Sequence, residues 1–148
     1  NKYNSPNLKK ILQSDATFIF HYGRHDMAAI YHDLKVMLKN VYCTKIASKI
    51  ARTYSQSHGY RDLVKELLKL EISKKHQSSD WSNPDLTEDQ INYAANDVMH
   101  LHDIKKKLDE ILERQDRMNL AQSCFSFLQT RVELDLRGWE NDIFSHSS

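Results

Sequence analysis

Turn-forming residues are nearly missing from this chain. It holds three glycines and two prolines in 148 residues, where ordinary usage of the two together is about 12%. Collagen, Gly/Ser linkers and turn-rich β-sandwiches all need more of them, so long helices with few breaks are the expected product. The length suits one domain, able to bury roughly two-thirds of the surface that its unfolded chain exposes. With 40% hydrophobic and 28% charged residues, the chain reads as an ordinary soluble globular protein and not a disordered tail.

The apolar pattern places the elements. Residues 7–13 predict a short amphipathic helix with Leu8, Ile11 and Leu12 on one side, ending at Ser14-Asp15. Residues 17–20 (TFIF) have the length and β-branched or aromatic content of a buried strand. Gly23 marks a bend, Asp26 can open a helix, and Val41-Tyr42-Cys43 reads as a second strand. A helix from Thr44 follows, with Ile46, Ile50 and Tyr54 at helical spacing. After Gly59, residues 60–70 give another, with Leu63, Leu67 and Leu70 as its core positions. The polar stretch 73–85, holding Trp81 and Pro84, reads as a functional loop. Thr87-Glu88-Asp89-Gln90 is a capping box. The helix it opens runs to about Arg114, with Ile91, Ala95, Val98, Leu101, Leu108 and Ile111 apolar. Residues 119–128 give one more helix, before a mixed tail with Trp139 and Phe144. Strand, helix, strand and then helices is the order of an α/β unit.

Charge and cysteine content narrow the class. A net charge of +1, from 21 basic and 20 acidic residues, excludes a generally basic nucleic-acid coat but not local gripping of nucleic acid. Cys43 and Cys124 match no zinc spacing and no disulfide framework, so both are expected as buried free thiols in a reducing cytoplasm. No apolar run approaches the ~18 residues of a membrane span, and no signal peptide is visible, so no membrane partner is expected.

Several residues could carry chemistry. Asp26 follows the first strand, behind His21, Arg24 and His25. Tyr93 and Asp97 stand four apart in the capped helix, which puts phenol and carboxylate on one face, one turn apart. Spacing alone leaves Asp97 either a solvated, salt-bridged acid or half of a carboxylate pair holding a hard cation with its waters. His21-x3-His25 crosses a strand-to-helix turn and lacks further zinc ligands. His100, within a turn of Asp97, reads as a surface histidine, and Lys105-Lys106-Lys107 as an exposed helix face. Lys74, Lys75 and Gln77 are either phosphate contacts or a solvated run. Trp81 either stacks on a base or pins its loop.

The wider pattern is more specific. His21-x4-Asp26 after a strand is followed by Ser78-Ser79-Asp80-Trp81, then by Leu86-Thr87-x2-Gln90-x2-Tyr93-Ala94-Ala95-x-Asp97-Val98. This series resembles the ribonuclease D family, 3′-to-5′ exonucleases of the DEDD superfamily in its Tyr-containing subclass. The resemblance continues through residues 51–68 and Cys124-Phe125-x-Phe127-Leu128 and covers nearly the whole chain. It is closest to the short bacterial form, which has no additional C-terminal helical nucleic-acid-binding domain. It implies one exonuclease domain over residues 1–148, of α/β, ribonuclease H-like fold. Without the family's first three strands, that fold would be mostly helical with about two short strands.

The resemblance also implies roles. Asp97 would coordinate the Mg²⁺ or Mn²⁺ that activates the attacking water, Tyr93 would orient that water, and Asp26 would support a second metal through water. Two cations about 3.5–4 Å apart stabilise the attacking and leaving oxygens of a phosphodiester together. The products would be nucleoside 5′-monophosphates from RNA 3′ ends, such as those of tRNA precursors, with single-stranded DNA a second substrate class. His21, Tyr22, Arg24, Lys74, Lys75, Gln77 and Trp81 would contact the nucleic acid.

One departure stands out. The family's first motif is an Asp-x-Glu on the opening strand, and residues 1–25 hold a single acid, Asp15. Asp33, Glu66, Glu71, Asp109 and Glu110 lie downstream on expected helices and do not substitute for it. With two of the four metal-binding acids missing, these 148 residues are expected to be inactive or severely impaired. Asn1 in place of Met favours a truncated or partial protein. An exposed sheet edge would then invite a homo-oligomer or a retained N-terminal piece. The alternative function is a non-catalytic nucleic-acid-binding or interaction remnant. A generic α-rich interaction domain is a third reading, which the pattern around Tyr93 and Asp97 disfavours.

Overall fold

The computed structural model describes residues 6–72, 85, 87–139, 141 and 143–146, with Pro6 and residues 89–98 described by backbone alone. A parallel pair of three-residue strands organises them: β1 (Phe18–Phe20) and β2 (Val41–Cys43), in the register Phe18 to Val41, Ile19 to Tyr42 and Phe20 to Cys43. Parallel strands need a long crossover, and α2 (Gly23–Leu34) supplies it. A short α1 (Pro6–Leu12) precedes β1. After β2 come α3 (Thr44–Ala51), α4 (Tyr60–Leu68), α5 (Glu88–Arg114) and α6 (Met118–Leu136).

All three residues of β2 are buried, as expected of a strand covered on both faces. The core gathers around it. Met27 and Leu34 come from α2, Ala47 and Ala51 from α3, and Leu63 and Val64 from α4. The long helices add Ile104, Leu108 and Leu112 from α5 and Ala121, Phe125, Leu128 and Val132 from α6. These recur at three- and four-residue intervals, so each helix turns one stripe inward. α5 packs against α3, α4, α6 and β1, while α6 covers α2 and β2. Asp116, at φ 57°, breaks the chain between α5 and α6, and the Arg117 N–H closes on the Leu112 carbonyl at 2.8 Å.

The expected elements all form, with instructive differences at their ends. Gly23 is the first residue of α2 and not a bend before it. A Cβ there would lie 3.3 Å from both Phe20 Cβ and Val41 Cγ1, so the helix starts close against the sheet. α3 stops at Ala51, leaving Tyr54 exposed. α4 stops at Leu68 because Lys69 adopts the left-handed conformation. Leu70 therefore lies beyond the helix, 47% exposed, and is not core. Glu71 lies beyond α4 as well. α6 continues eight residues past Leu128, to Leu136, on the strength of Val132 in the same buried stripe. In α5 the buried apolar positions include Ile104 and Leu112, which the apolar reading passed over. Lys105 is only half exposed: its ammonium meets Asp109 Oδ2 at 2.7 Å and lies 4.9 Å from the Tyr42 ring centre.

Candidate active site

Asp26 lies in the first turn of α2, directly after the β1 exit. Its side chain borders a cavity of about 330 Å³ with Leu8, Leu12, Phe20, Ala29, Ile30, Asp33 and Leu34. Although solvent reaches it, burial against this wall raises its pKa, and the neighbouring His25 pulls the other way. A carboxylate whose charge is disfavoured by its surroundings is one that a cation would stabilise. Its oxygen donors suit a hard divalent ion. Among the described residues no cluster of three or more His, Cys, Asp and Glu is assembled. Tyr93 and Asp97 occupy α5 one turn apart. Their side chains, like Lys74, Lys75, Gln77 and Trp81, lie outside the described residues.

The expected contacts His21, Tyr22 and Arg24 do not line the Asp26 cavity. Arg24 instead ties α2 to α6, donating from Nε and Nη2 to the two Asp135 oxygens at 2.5 Å each. That bidentate pair holds the Asp135 carboxyl below the usual range, with Arg131 at 3.2 Å assisting. Tyr22 sits at φ 66°, stacks obliquely on His25 at 4.6 Å and carries the Lys45 ammonium 4.5 Å above its ring.

His21 is a polar strut between β1 and α3. The Thr44 hydroxyl donates to the Phe20 carbonyl at 3.2 Å, so its oxygen is left to accept from His21 Nδ1–H at 2.9 Å. Burial, aided by Lys45, brings the imidazole down to about 4, so the ring is neutral near pH 7. In a ¹H–¹⁵N titration of the histidines, His21 is expected to stay neutral down to about pH 4. The unfolded chain takes up this proton below its ordinary 6.5 and the folded one does not. His21 therefore contributes its full stability above pH 6.5 and loses it as pH falls toward 4. A His21 midpoint near 6.5 would overturn the strut.

Sequence reasoning missed a second polar knot. Arg52, 2% exposed, donates from Nε to Glu66 Oε2 at 2.7 Å and from Nη2 to Oε1 at 3.0 Å. Its Nη1 reaches Ser48 Oγ at 2.9 Å and the Ser57 carbonyl at 2.8 Å. The only available signal was the placement of Arg52 and Glu66 within the 51–68 segment that carries the family resemblance. His100 also departs from a surface residue: its Nδ1 is buried without a hydrogen-bond partner among the described residues. Cys43 is buried as expected, but Cys124 is only partly so.

Comparison with known proteins fixes the family. The model of a 3′–5′ exonuclease domain matches residues 2–113, a span that includes Asp26, Tyr93 and Asp97. The chain belongs to the 3′–5′ exonuclease domain family. Among curated relatives, ribonuclease D of Nitrobacter hamburgensis is 30% identical over 125 residues, covering 82% of this chain and 32% of that protein. The chain thus spans about a third of the length of that relative. Among solved structures, Brucella melitensis NrnC with bound Mg²⁺ is 49% identical and superimposes with a TM-score of 0.88, over 97% of this chain and 71% of that one. The same protein bound to pGG is 50% identical, with a TM-score of 0.87 over 98% and 71%. Escherichia coli ribonuclease D is 26% identical, with a TM-score of 0.75 over 85% and 34%. The resemblance to ribonuclease D and the ribonuclease H-like exonuclease fold are both borne out. No helix among the described residues is long and apolar enough to cross a membrane.

Proposed function

We propose that the intact protein is a divalent-metal-dependent 3′–5′ exoribonuclease that releases nucleoside 5′-monophosphates from RNA 3′ ends. The observation that carries this reading is the exonuclease-family match across Asp26, Tyr93 and Asp97. The close structural likeness to an NrnC solved with Mg²⁺ supports it. Asp26 and Asp97 would hold the cations, Mg²⁺ or Mn²⁺, which stabilise the charge that builds on the phosphoryl oxygens. Tyr93, one helical turn from Asp97, would orient the attacking water with its phenol. The Asp26 carboxylate, on the first turn of α2, would face the site from the opposite element. The packing of α5 on β1 supports a meeting of the two acids, because β1 leads directly into Asp26. Residues 1–148 contain no Asp-x-Glu, so the reading includes that they turn over poorly or not at all by themselves. A non-catalytic remnant is the alternative.

The substrate has two readings. The ribonuclease D relatives favour RNA, and the family resemblance implies 3′ ends such as those of tRNA precursors. The NrnC neighbour bound to pGG, at higher identity, favours very short phosphorylated oligonucleotides. Incubating the intact protein with 3′-terminal RNA and with pGG separates these by which is consumed faster. In both cases EDTA is expected to abolish stepwise mononucleotide release, and added Mg²⁺ or Mn²⁺ to restore it. Release that persists in EDTA would remove the metal mechanism.

A further inference from the structure

A second cavity, of about 480 Å³, opens between α3 and α6 and shares no lining residue with the one at Asp26. Its volume falls within the roughly 300–1,000 Å³ of small-molecule sites. The floor is apolar, made by Ile46, Leu128 and the thiols of Cys43 and Cys124, with the ring of Phe127 on one side. The charged lining is all cationic, Lys45 and Lys49 from α3, Arg24 from α2 and Arg131 from α6, with no carboxylate among the lining residues. Asp135 lies behind it and serves both arginines at once, so the lysines are left uncompensated from that side. Lys45 and Lys49 are one helical turn apart on α3. Lys45 rests over the Tyr22 ring, and Tyr22 also borders the cavity.

A cavity of this kind fits a ligand with a flat apolar body and an anionic end. A ring and a hydroxyl on the same wall select a nucleotide over an acyl chain: Phe127 and Ser123 both border the cavity. A base offers a face to stack on the ring and carbonyl and ring-nitrogen acceptors for the hydroxyl, whereas the body of an acyl chain offers neither. We infer that this α3–α6 cavity is a nucleotide-binding site, separate from the Asp26 cavity. The base lies between Phe127 and Ile46, and the phosphate lies on Lys45 and Lys49. The same chemistry arrives either as a free nucleoside 5′-monophosphate or as one nucleotide of a longer strand.

Cys124 provides the readout, because it borders the cavity and is partly accessible. With EDTA present to silence any metal site, GMP is expected to protect Cys124 of the intact protein saturably from a thiol reagent. Guanosine and inorganic phosphate, each carrying half of the ligand, are expected to protect far less. Lys49 is exposed, so Lys49→Glu leaves the core intact; losing a charge-assisted contact there should raise the apparent Kd for GMP by about tenfold or more. Ser123→Phe, which fills the cavity from an exposed position, is expected to abolish protection. If a single-stranded oligonucleotide protects where GMP does not, the natural source is a strand; equal protection identifies the free nucleotide. Three results overturn the site: no protection by either, protection unchanged in Lys49→Glu, or equal protection by octanoate. Protection that follows protein concentration instead of ligand also overturns it, and would mean that a second copy covers this face. Because the cavity is read without metal, its failure leaves the exonuclease reading untouched.

Discussion

Asp97→Ala in the intact protein is expected to lower the rate of 3′-terminal hydrolysis by well over about a hundredfold. Changing a group that merely supports a metal ligand costs about 10–100-fold in affinity or activity, and a direct ligand should cost more. The loss should appear in single-turnover kinetics at saturating RNA, because the substrate-binding surface is unaltered while stabilisation of the developing phosphoryl charge is removed. The variant should also need a higher Mg²⁺ concentration for half-maximal rate. Tyr93→Phe is expected to slow turnover less and to leave that metal dependence in place, since it removes the group orienting the water and keeps both acids. The two residues share one face of α5 four positions apart, so a general distortion of the helix would affect both variants alike. The predicted split in metal dependence distinguishes the two roles. Near-normal turnover by Asp97→Ala would remove it from the metal site.

The fold was legible where periodicity is strong. The two short strands, the helix after each, and the run from Glu88 to Arg114 all follow from apolar spacing and a capping box. The helix ends were less so, because local backbone geometry decides them. Lys69 turns left-handed and strands Leu70 outside α4, although leucine spacing alone would have continued the helix. The long reach of α6 depends on Val132 finding the core beside α2, a tertiary contact that no local signal announces. Asp26, Tyr93 and Asp97 could be singled out only through the flanking pattern. His21, Tyr22 and Arg24 sit close to Asp26 in the chain, but the start of α2 fans them out. His21 turns to Thr44, Tyr22 to Lys45 and Arg24 to Asp135. Sequence proximity could not tell which contacts within the protein each of the three makes.

The largest stability effect is expected at Arg52, which held no place in the chemistry read from the sequence. Its guanidinium is 2% exposed and joins the end of α3, the loop at Ser57 and Glu66 on α4. Arg52→Ala deletes a buried side chain together with its hydrogen bonds to Glu66, Ser48 and the Ser57 carbonyl, and hydrogen bonds to charged groups contribute about 1.5–3 kcal/mol each. It is therefore expected to lower the urea midpoint strongly, against a total margin of about 5–15 kcal/mol for a domain this size. Arg52→Lys should recover little, because an ammonium cannot span Glu66, Ser48 and the Ser57 carbonyl in one planar fork. Glu66 is more exposed, 36% at its side chain, and solvent screening makes Glu66→Gln the milder change. The pair also carries a pH signature. Hydrogen bonds from Arg52, helped by Tyr54, lower the Glu66 carboxyl from 4.5 to about 2. The unfolded chain binds this proton first, so the contribution of Glu66 is fully present above pH 4.5 and is lost as pH falls from there toward 2. Urea unfolding at pH 7 and at pH 3 should show a smaller acid loss in Glu66→Gln than in the parent. Parallel acid losses in the two proteins, or an Arg52→Ala midpoint close to the parent's, would show that α3 and α4 are held by their packing on α5 without the polar knot.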